Sequence, residues 1–301
     1  MIDLSVAIGA VRLANPILTA SGTFGYGLEY DGLFDPAELG AICTKGLSLE
    51  PRAGNPPPRI CETPGGMLNA IGLANVGVEA FCRDKLPLLR ARGVTVVANV
   101  FATSLDDFAA LARRLDGEPG IAALELNVSC PNVAHGGLEF GRDPAAAARV
   151  TEAVKRATRL PVWVKMSPEA GDIKAVGRAC EAAGADALTA INTIRGLAID
   201  VETFRPKLHN RTGGLSGPAL KPIAVRIVWE LADAVSIPIV GIGGIATAAD
   251  AVEFLLAGAT AVEVGTASFV DPLAPQKILA GLRAFCEARG LAPRELVGRA
   301  R

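Results

Sequence analysis

Eight short apolar runs recur along the chain, most of them rich in β-branched residues. They are PILTASG (16–22), GAICTKG (40–46), VTVVANV (94–100), AALELNVS (122–129), PVWVKMS (161–167), ALTAINT (187–193), IPIVGIGG (237–244) and AVEVGTAS (261–268). Each is close to continuously apolar, the pattern of a parallel strand buried on both faces. Between them lie longer segments with helical periodicity: SLDDFAALARRLDG, DPAAAARVTEAVKRAT, DIKAVGRACEAAGA, PALKPIAVRIVWELADAV and TAADAVEFLLAGA. Ser104, Asp143 and Thr247 stand where helix N-caps belong. A doubly wound sheet would share the alternation, but a (β/α)8 TIM barrel accounts for all eight repeats, so the expected fold class is α/β. The opening stretch, DLSVAI and then GAVRL, alternates around a glycine and predicts a small hairpin closing the barrel bottom.

Long connections follow strands two, four and six. SLEPRAGNPPPRICETPGGMLNAIGLANVG (48–77) is rich in Pro and Gly, and RGLAIDVETFRPKLHNRTGGLSG (195–217) is polar and basic. Loops of such length inside a compact domain are usually functional. No linker or low-complexity segment interrupts the pattern, and residues 1–301 read as one domain.

Half of the residues are hydrophobic, a fifth are charged, and the formal net charge is -1. That balance gives no reason to expect nucleic acid or an anionic membrane as a partner. No uncharged apolar stretch approaches the roughly 18 residues of a membrane span, and MIDLSVAIGAV does not resemble a signal peptide. The cysteines at 43, 61, 82, 130, 180 and 286 form no C-x-x-C pair, which argues against a zinc or iron–sulfur site. Reduced thiols in the cytoplasm are the expectation.

In such a barrel the chemistry sits where strands end, on the carboxyl face. The ends carry Ser21, Lys45, Asn99, Asn127, Lys165, Asn192 with Thr193, Gly243 with Gly244, and Gly265 with Thr266. One Asn at a strand end is commonly a turn former; three amides and two lysines at one topological position point to a site. The glycines ending strands seven and eight would let backbone N–H groups, with a helix N-terminus behind them, hold a phosphate. A lysine at the top of an apolar strand needs an anionic or electron-accepting partner. Cys130 follows strand four in LELNVSCPNV, between two asparagines and before a proline, where a thiol needed only for packing would be misplaced.

The segments TKGLSLEPRAGNPPPRICETPGGMLNAIGLANVG, ELNVSCPNV, VKMSP, AINT, GGLSGPALKP and GIGGI together resemble the class 1 dihydroorotate dehydrogenases, over about residues 4–290. ETPGGMLNAIGL looks like the 1B branch, whose catalytic subunit works with a separate electron-transfer subunit. The resemblance implies oxidation of (S)-dihydroorotate to orotate in pyrimidine biosynthesis. Cys130 would be the base that removes the C5 proton, while hydride passes from C6 to FMN. A thiol suits the task because its ordinary pKa of about 8.5 can be lowered by a nearby cation. Lys45, Asn69, Ala70, Ile71, Gly72, Leu73, Asn127, Asn192 and Thr193 would bind substrate. Ser21, Lys45, Gly46, Asn99, Asn127, Lys165, Ile191, Gly217, Gly243, Gly244, Gly265 and Thr266 would bind FMN, with Lys165 beside its pyrimidine edge and the last four at its phosphate. No metal site is implied. FAD and a 2Fe–2S cluster are expected only in the partner subunit, which would pass electrons to NAD in a heterotetramer built on a homodimer of barrels.

The remaining singular residues read as ordinary. Cys43 and Cys180 are expected in the core, His135 and His209 in solvent, and Tyr26 and Tyr30 at the rim of the site or of a partner interface. The alternatives are a fumarate-linked class 1A enzyme, a dihydropyrimidine-type FMN oxidoreductase, a non-redox phosphate-binding isomerase on the same barrel, and a silent flavin scaffold.

Overall fold

Residues 2–128 and 140–301 are described by the computed structural model. Strands β1 (Val6–Ile8) and β2 (Val11–Leu13) form an antiparallel hairpin. After β3 (Ile17–Thr19) and β4 (Ala41–Cys43) come the paired strands β5 (Ile60–Thr63) and β6 (Gly66–Asn69). The chain continues through β7 (Val96–Val100), β8 (Ile121–Asn127), β9 (Val162–Lys165) and β10 (Ala187–Ala190). Four short strands follow: β11 (Ile194–Leu197), β12 (Ile199–Asp200), β13 (Arg205–Pro206) and β14 (Thr212–Ser216). The last two are β15 (Ile239–Ile242) and β16 (Ala261–Val264). Strands β3, β4, β7, β8, β9, β10, β15 and β16 pair in parallel and close on themselves, giving the TIM barrel that the eightfold repeat predicts.

Alternation along each strand sends every second side chain into the barrel. The lower interior holds Leu18, Ala41, Val97, Ala123, Trp163, Ala187, Val240 and Ala261. Four of these are alanines, and the space they leave takes the Trp163 indole and the hairpin side chains Val6, Ile8, Val11 and Leu13. The hairpin is thus the floor of the barrel, as its pattern predicts. Burying side chains of this size contributes about 1.5–3 kcal/mol each. One step higher on the same strands the interior turns polar, with Cys43, Asn99, Glu125, Lys165, Thr189 and Glu263, all buried. The outward-facing residues of the strands pack under the helices in the main core.

The helices start where the caps predict. Ser104 accepts from the Asp107 N–H at the head of the helix Leu105–Asp116, Asp143 from Ala146 N–H before Pro144–Ala157, and Thr247 with Asp250 forms a capping box before Ala248–Ala257. Phe108, Leu111, Ala112 and Leu115 supply the buried stripe of the first of these, at three- and four-residue spacing. A further helical run over 78–91, with a π turn at Phe81–Lys85, follows the first insertion and was not foreseen from periodicity.

The two long connections after strands two and six depart from the loop expectation. They carry β5, β6, β11 and β14, which join as one antiparallel sheet in the order β11-β14-β6-β5, and β12 with β13 adds a two-residue ribbon. Leu68, Ala70 and Leu208 form its own small core. The close approach of strands there requires glycine: a Cβ on Gly214 would lie 2.1 Å from Thr193 Oγ1. Such strands, rich in glycine and half exposed, show no apolar alternation for a sequence pattern to detect.

Candidate active site

The barrel mouth gathers the strand-end residues as the topology predicts. Lys165, the last residue of β9, is 4 % exposed and donates to Ser21 Oγ at 3.0 Å and to Glu125 Oε1 at 3.2 Å. Asn99, within β7, donates through Nδ2 to the same Glu125 oxygen at 2.6 Å. Across the mouth, Asn192 Nδ2 donates to Asn127 Oδ1 at 3.2 Å, while Asn192 Oδ1 accepts the Thr193 N–H at 2.8 Å. These two bonds orient the pair of amides and the start of the β11 segment together. Asn69, at the end of β6, donates to the Gly214 carbonyl at 3.3 Å, so the antiparallel sheet carries it over the same mouth as Thr193. Ala70 is buried behind it, and Ile71, Gly72 and Leu73 continue the segment half-buried. Gly46 follows Lys45 after β4, where a Cβ would come within 2.9 Å of Asn99 Oδ1.

Charge at the mouth is unusual for so buried a place. Burial pulls the Lys165 ammonium down, but its acidic surroundings, Glu125 foremost, outweigh that and hold its pKa above the ordinary lysine value. Lys45 is half-buried, and burial together with the Arg59 guanidinium lowers its pKa. An anion placed between Lys45 and Arg59 would reverse that shift.

A second part of the mouth is made of backbone. Gly243 and Gly244 follow β15 with φ of 128° and 75°, Gly217 precedes the turn at Pro218 with φ of 103°, and Gly265 and Thr266 follow β16. Among the described residues, no turn or loop hydrogen bond takes the backbone N–H groups of Gly217, Gly243, Gly244, Gly265 and Thr266. A Cβ on Gly244 would meet Lys221 N at 2.7 Å and Gly217 O at 2.9 Å, so only glycine permits this turn. Thr266 Oγ1 donates to Ser216 Oγ at 2.8 Å, tying the end of β16 to β14. The helix after Thr266 spans only Ala267–Val270, so the N–H groups themselves, rather than a helix dipole, make this place ready for an anion. Such N–H groups, at the same barrel mouth as the buried Lys165, would suit a phosphorylated, electron-accepting ligand.

Other sequence expectations resolve individually. Cys130 and His135 lie outside the described residues. Tyr26 is not at a rim: it is buried against Phe81, and its hydroxyl accepts the Val76 N–H. Tyr30 stacks on Phe24 with ring centroids 3.8 Å apart and donates to the Thr23 carbonyl, also a packing role. His209 is exposed. Cys180 is fully buried in a helix, where burial pushes its thiol up to about 12. Cys43 is buried as expected but faces the polar interior, 3.2 Å from Glu125 Oε1. Glu125 and Glu263 were not singled out from sequence. The signal was there, a lone carboxylate inside each of the apolar runs ALELN and AVEV, but its meaning depends on which face of the strand it occupies.

A family profile described as Dihydroorotate dehydrogenase matches residues 3–286. The chain belongs to the dihydroorotate dehydrogenase family. Among its relatives is a protein of Trichlorobacter lovleyi named "Dihydroorotate dehydrogenase B (NAD(+)), catalytic subunit", 57 % identical over 96 % of this chain and 95 % of its own length. Proteins of the same name from Geobacter sulfurreducens and Geotalea uraniireducens are 56 % and 54 % identical, each over 98 % of this chain and 97 % of their own length. The 1B resemblance of ETPGGMLNAIGL agrees with the names of these dihydroorotate dehydrogenases. Among the described residues no helix is long and apolar enough to cross a membrane.

Proposed function

We propose that this chain oxidises dihydroorotate to orotate in pyrimidine biosynthesis, with NAD+ as the final electron acceptor. The observation that carries the reading is the meeting, at one barrel mouth, of the paired amides Asn127 and Asn192, the buried Lys165 and the glycine turns at Gly243, Gly244 and Gly265 with Thr266, whose N–H groups no turn or loop bond takes among the described residues. Asn69, Asn127, Asn192 and Thr193 offer donors and acceptors for the ring amides of the substrate, and Lys45 offers a cation for its carboxylate. Ala70–Leu73 line the substrate from the sheet side. Cys130 takes the C5 proton; Cys, with an ordinary pKa of about 8.5, reaches the thiolate with modest help from a nearby cation.

FMN, when bound, supplies the acceptor for the hydride that leaves C6. Ser21, Gly46, Asn99, Ile191 and Gly217 would line it, the glycines after β15 and β16 with Thr266 would hold its phosphate, and Lys165 would lie at the edge of the ring where negative charge develops. The relatives' "catalytic subunit" name supports a separate partner subunit. On the family resemblance that subunit would carry FAD and a 2Fe–2S cluster and assemble on a homodimer of single-domain chains in the cytoplasm.

The test is the visible spectrum of the purified chain, recorded anaerobically before and after dihydroorotate is added. A flavin band that bleaches with substrate supports the reading, and NAD+ and fumarate offered to the bleached sample separate the two acceptors. A colourless chain that cannot be reconstituted with FMN overturns it.

A further inference from the structure

Beneath the mouth, among the described residues, two carboxyls and one ammonium are sealed inside the barrel beside the Cys43 thiol: Glu125 and Glu263 are 0 % exposed and Lys165 4 %. Lys165 Nζ lies 3.2 Å from Glu125 Oε1 and 3.9 Å from Glu263 Oε2. The two carboxyls and the Cys43 sulfur offer atoms that all lie within 4.8 Å of one another, a spacing that could cage a metal ion, but the ammonium of Lys165 already supplies the cation. With both glutamates ionised, the cluster would carry a net negative charge with no water to solvate it, which the interior does not support.

The hydrogen bonds show where the remaining charge sits. Glu125 Oε1 accepts from Asn99 at 2.6 Å and from Lys165 and Cys43, both at 3.2 Å. Among the described residues neither oxygen of Glu263 accepts a hydrogen bond, and Glu125 Oε2 accepts none either. A carboxylate without a single donor is the costlier of the two to bury, whereas a carboxylic acid brings its own donor.

We propose that Glu125 and Glu263 hold one proton between them, Glu263 as the neutral acid and Glu125 as the carboxylate, so that a single buried negative charge matches Lys165 and fixes its ammonium at the site. The titration directions agree. Burial, and then the charge of Glu125, push Glu263 well above the usual carboxylate range, while Lys165 and the donors on Glu125 overcome burial and hold Glu125 below it. Glu125 acts on the ligand through the side chains it holds, Lys165 and Asn99, and is a positioning residue. That last step rests on the FMN reading above; the charge-matched cluster does not.

Infrared spectra of the purified full chain at pH 7 test the protonated acid directly. A carboxylic-acid carbonyl band that shifts in D2O should appear in the parent and vanish in Glu263→Gln. A parent without such a band, or a variant that keeps it, overturns the proposal.

Thermal melting tests the charge match. Glu263→Gln should melt within about 2 °C of the parent, and the double variant Glu125→Gln with Glu263→Gln about 5–8 °C lower, because Lys165 is stranded. Adding Lys165→Met to the double variant should recover most of that loss, which a purely space-filling role would not. A triple variant as unstable as the double overturns the match. Neither readout needs turnover, so a colourless chain would end the flavin reading and leave these results standing.

Discussion

Replacing Lys165 with Met removes the one cation sealed in the barrel among the described residues and keeps most of the side-chain volume. Glu125 then has no counter-charge, and the cheapest response is to take up a proton. At pH 7 the cost of protonating an ordinary carboxyl of pKa about 4.3 is about 1.36 × 2.7, or about 4 kcal/mol. That lies within the roughly 3–5 kcal/mol lost when one partner of a buried pair is deleted. The sign with pH follows. In the parent the Glu125 pKa is lowered, so its pairing contributes stability that is full above the unfolded carboxylate pKa and lost as pH falls through the folded one. In the variant Glu125 is held neutral, with a raised pKa, so its stability is lost as pH rises. The gap between parent and variant should therefore grow by about 1.4 kcal/mol per pH unit, from about 1 kcal/mol at pH 5 to about 4 kcal/mol at pH 7. Urea unfolding of both proteins, with FMN removed, at pH 5, 6 and 7 measures it. A pH-independent gap, or one below about 1 kcal/mol at pH 7, would refute the reasoning, because Lys165 would then not be the counter-charge of a buried carboxylate. A slope near two protons per molecule would mean that both glutamates are ionised in the parent.

Three further outcomes are expected. Cys130→Ala should retain FMN yet lose dihydroorotate oxidation by about 10²–10⁴-fold, the usual weight of a general base; full single-turnover reduction in that variant would remove the thiol from the mechanism. Gly244→Val, which forces a side chain against Lys221 N and Gly217 O at a φ of 75°, should weaken FMN retention at least about tenfold in equilibrium dialysis, since misplaced N–H groups no longer meet the phosphate. Trp163→Ala should lower unfolding free energy by about 3–5 kcal/mol through the cavity it leaves on the barrel floor, and a loss below about 1 kcal/mol would mean that the hairpin residues Val6, Ile8, Val11 and Leu13 collapse into the space.

How much of this molecule is visible in its residues differs from element to element. The eight apolar runs, the caps at Ser104, Asp143 and Thr247 and the order of the strand-end residues are all local patterns, and the barrel realises each of them. Position at a strand end is enough to bring Ser21 against Lys165 and Asn127 against Asn192, because closure of a parallel barrel brings all the carboxyl ends to one face. The tyrosines went the other way. Tyr26 and Tyr30 follow the first strand where a rim would be, yet their rings are taken by Phe81 and Phe24, contacts no spacing announces.

What the sequence by itself determined is therefore whatever is written in short-range periodicity and strand-end chemistry: the barrel, its floor, the family and the polar residues gathered at the strand ends. Only the tertiary structure decided that two glycine-rich insertions, joined by a bond between residues 145 positions apart, form one sheet over the mouth, and that Glu125 and Glu263 meet Lys165 inside it. The physical reason is the same in both cases. Pairing between distant segments, and the charge that a sealed interior can hold, depend on which strand faces are brought together in space, and that is settled by closure and register rather than by any residue's neighbours in the chain.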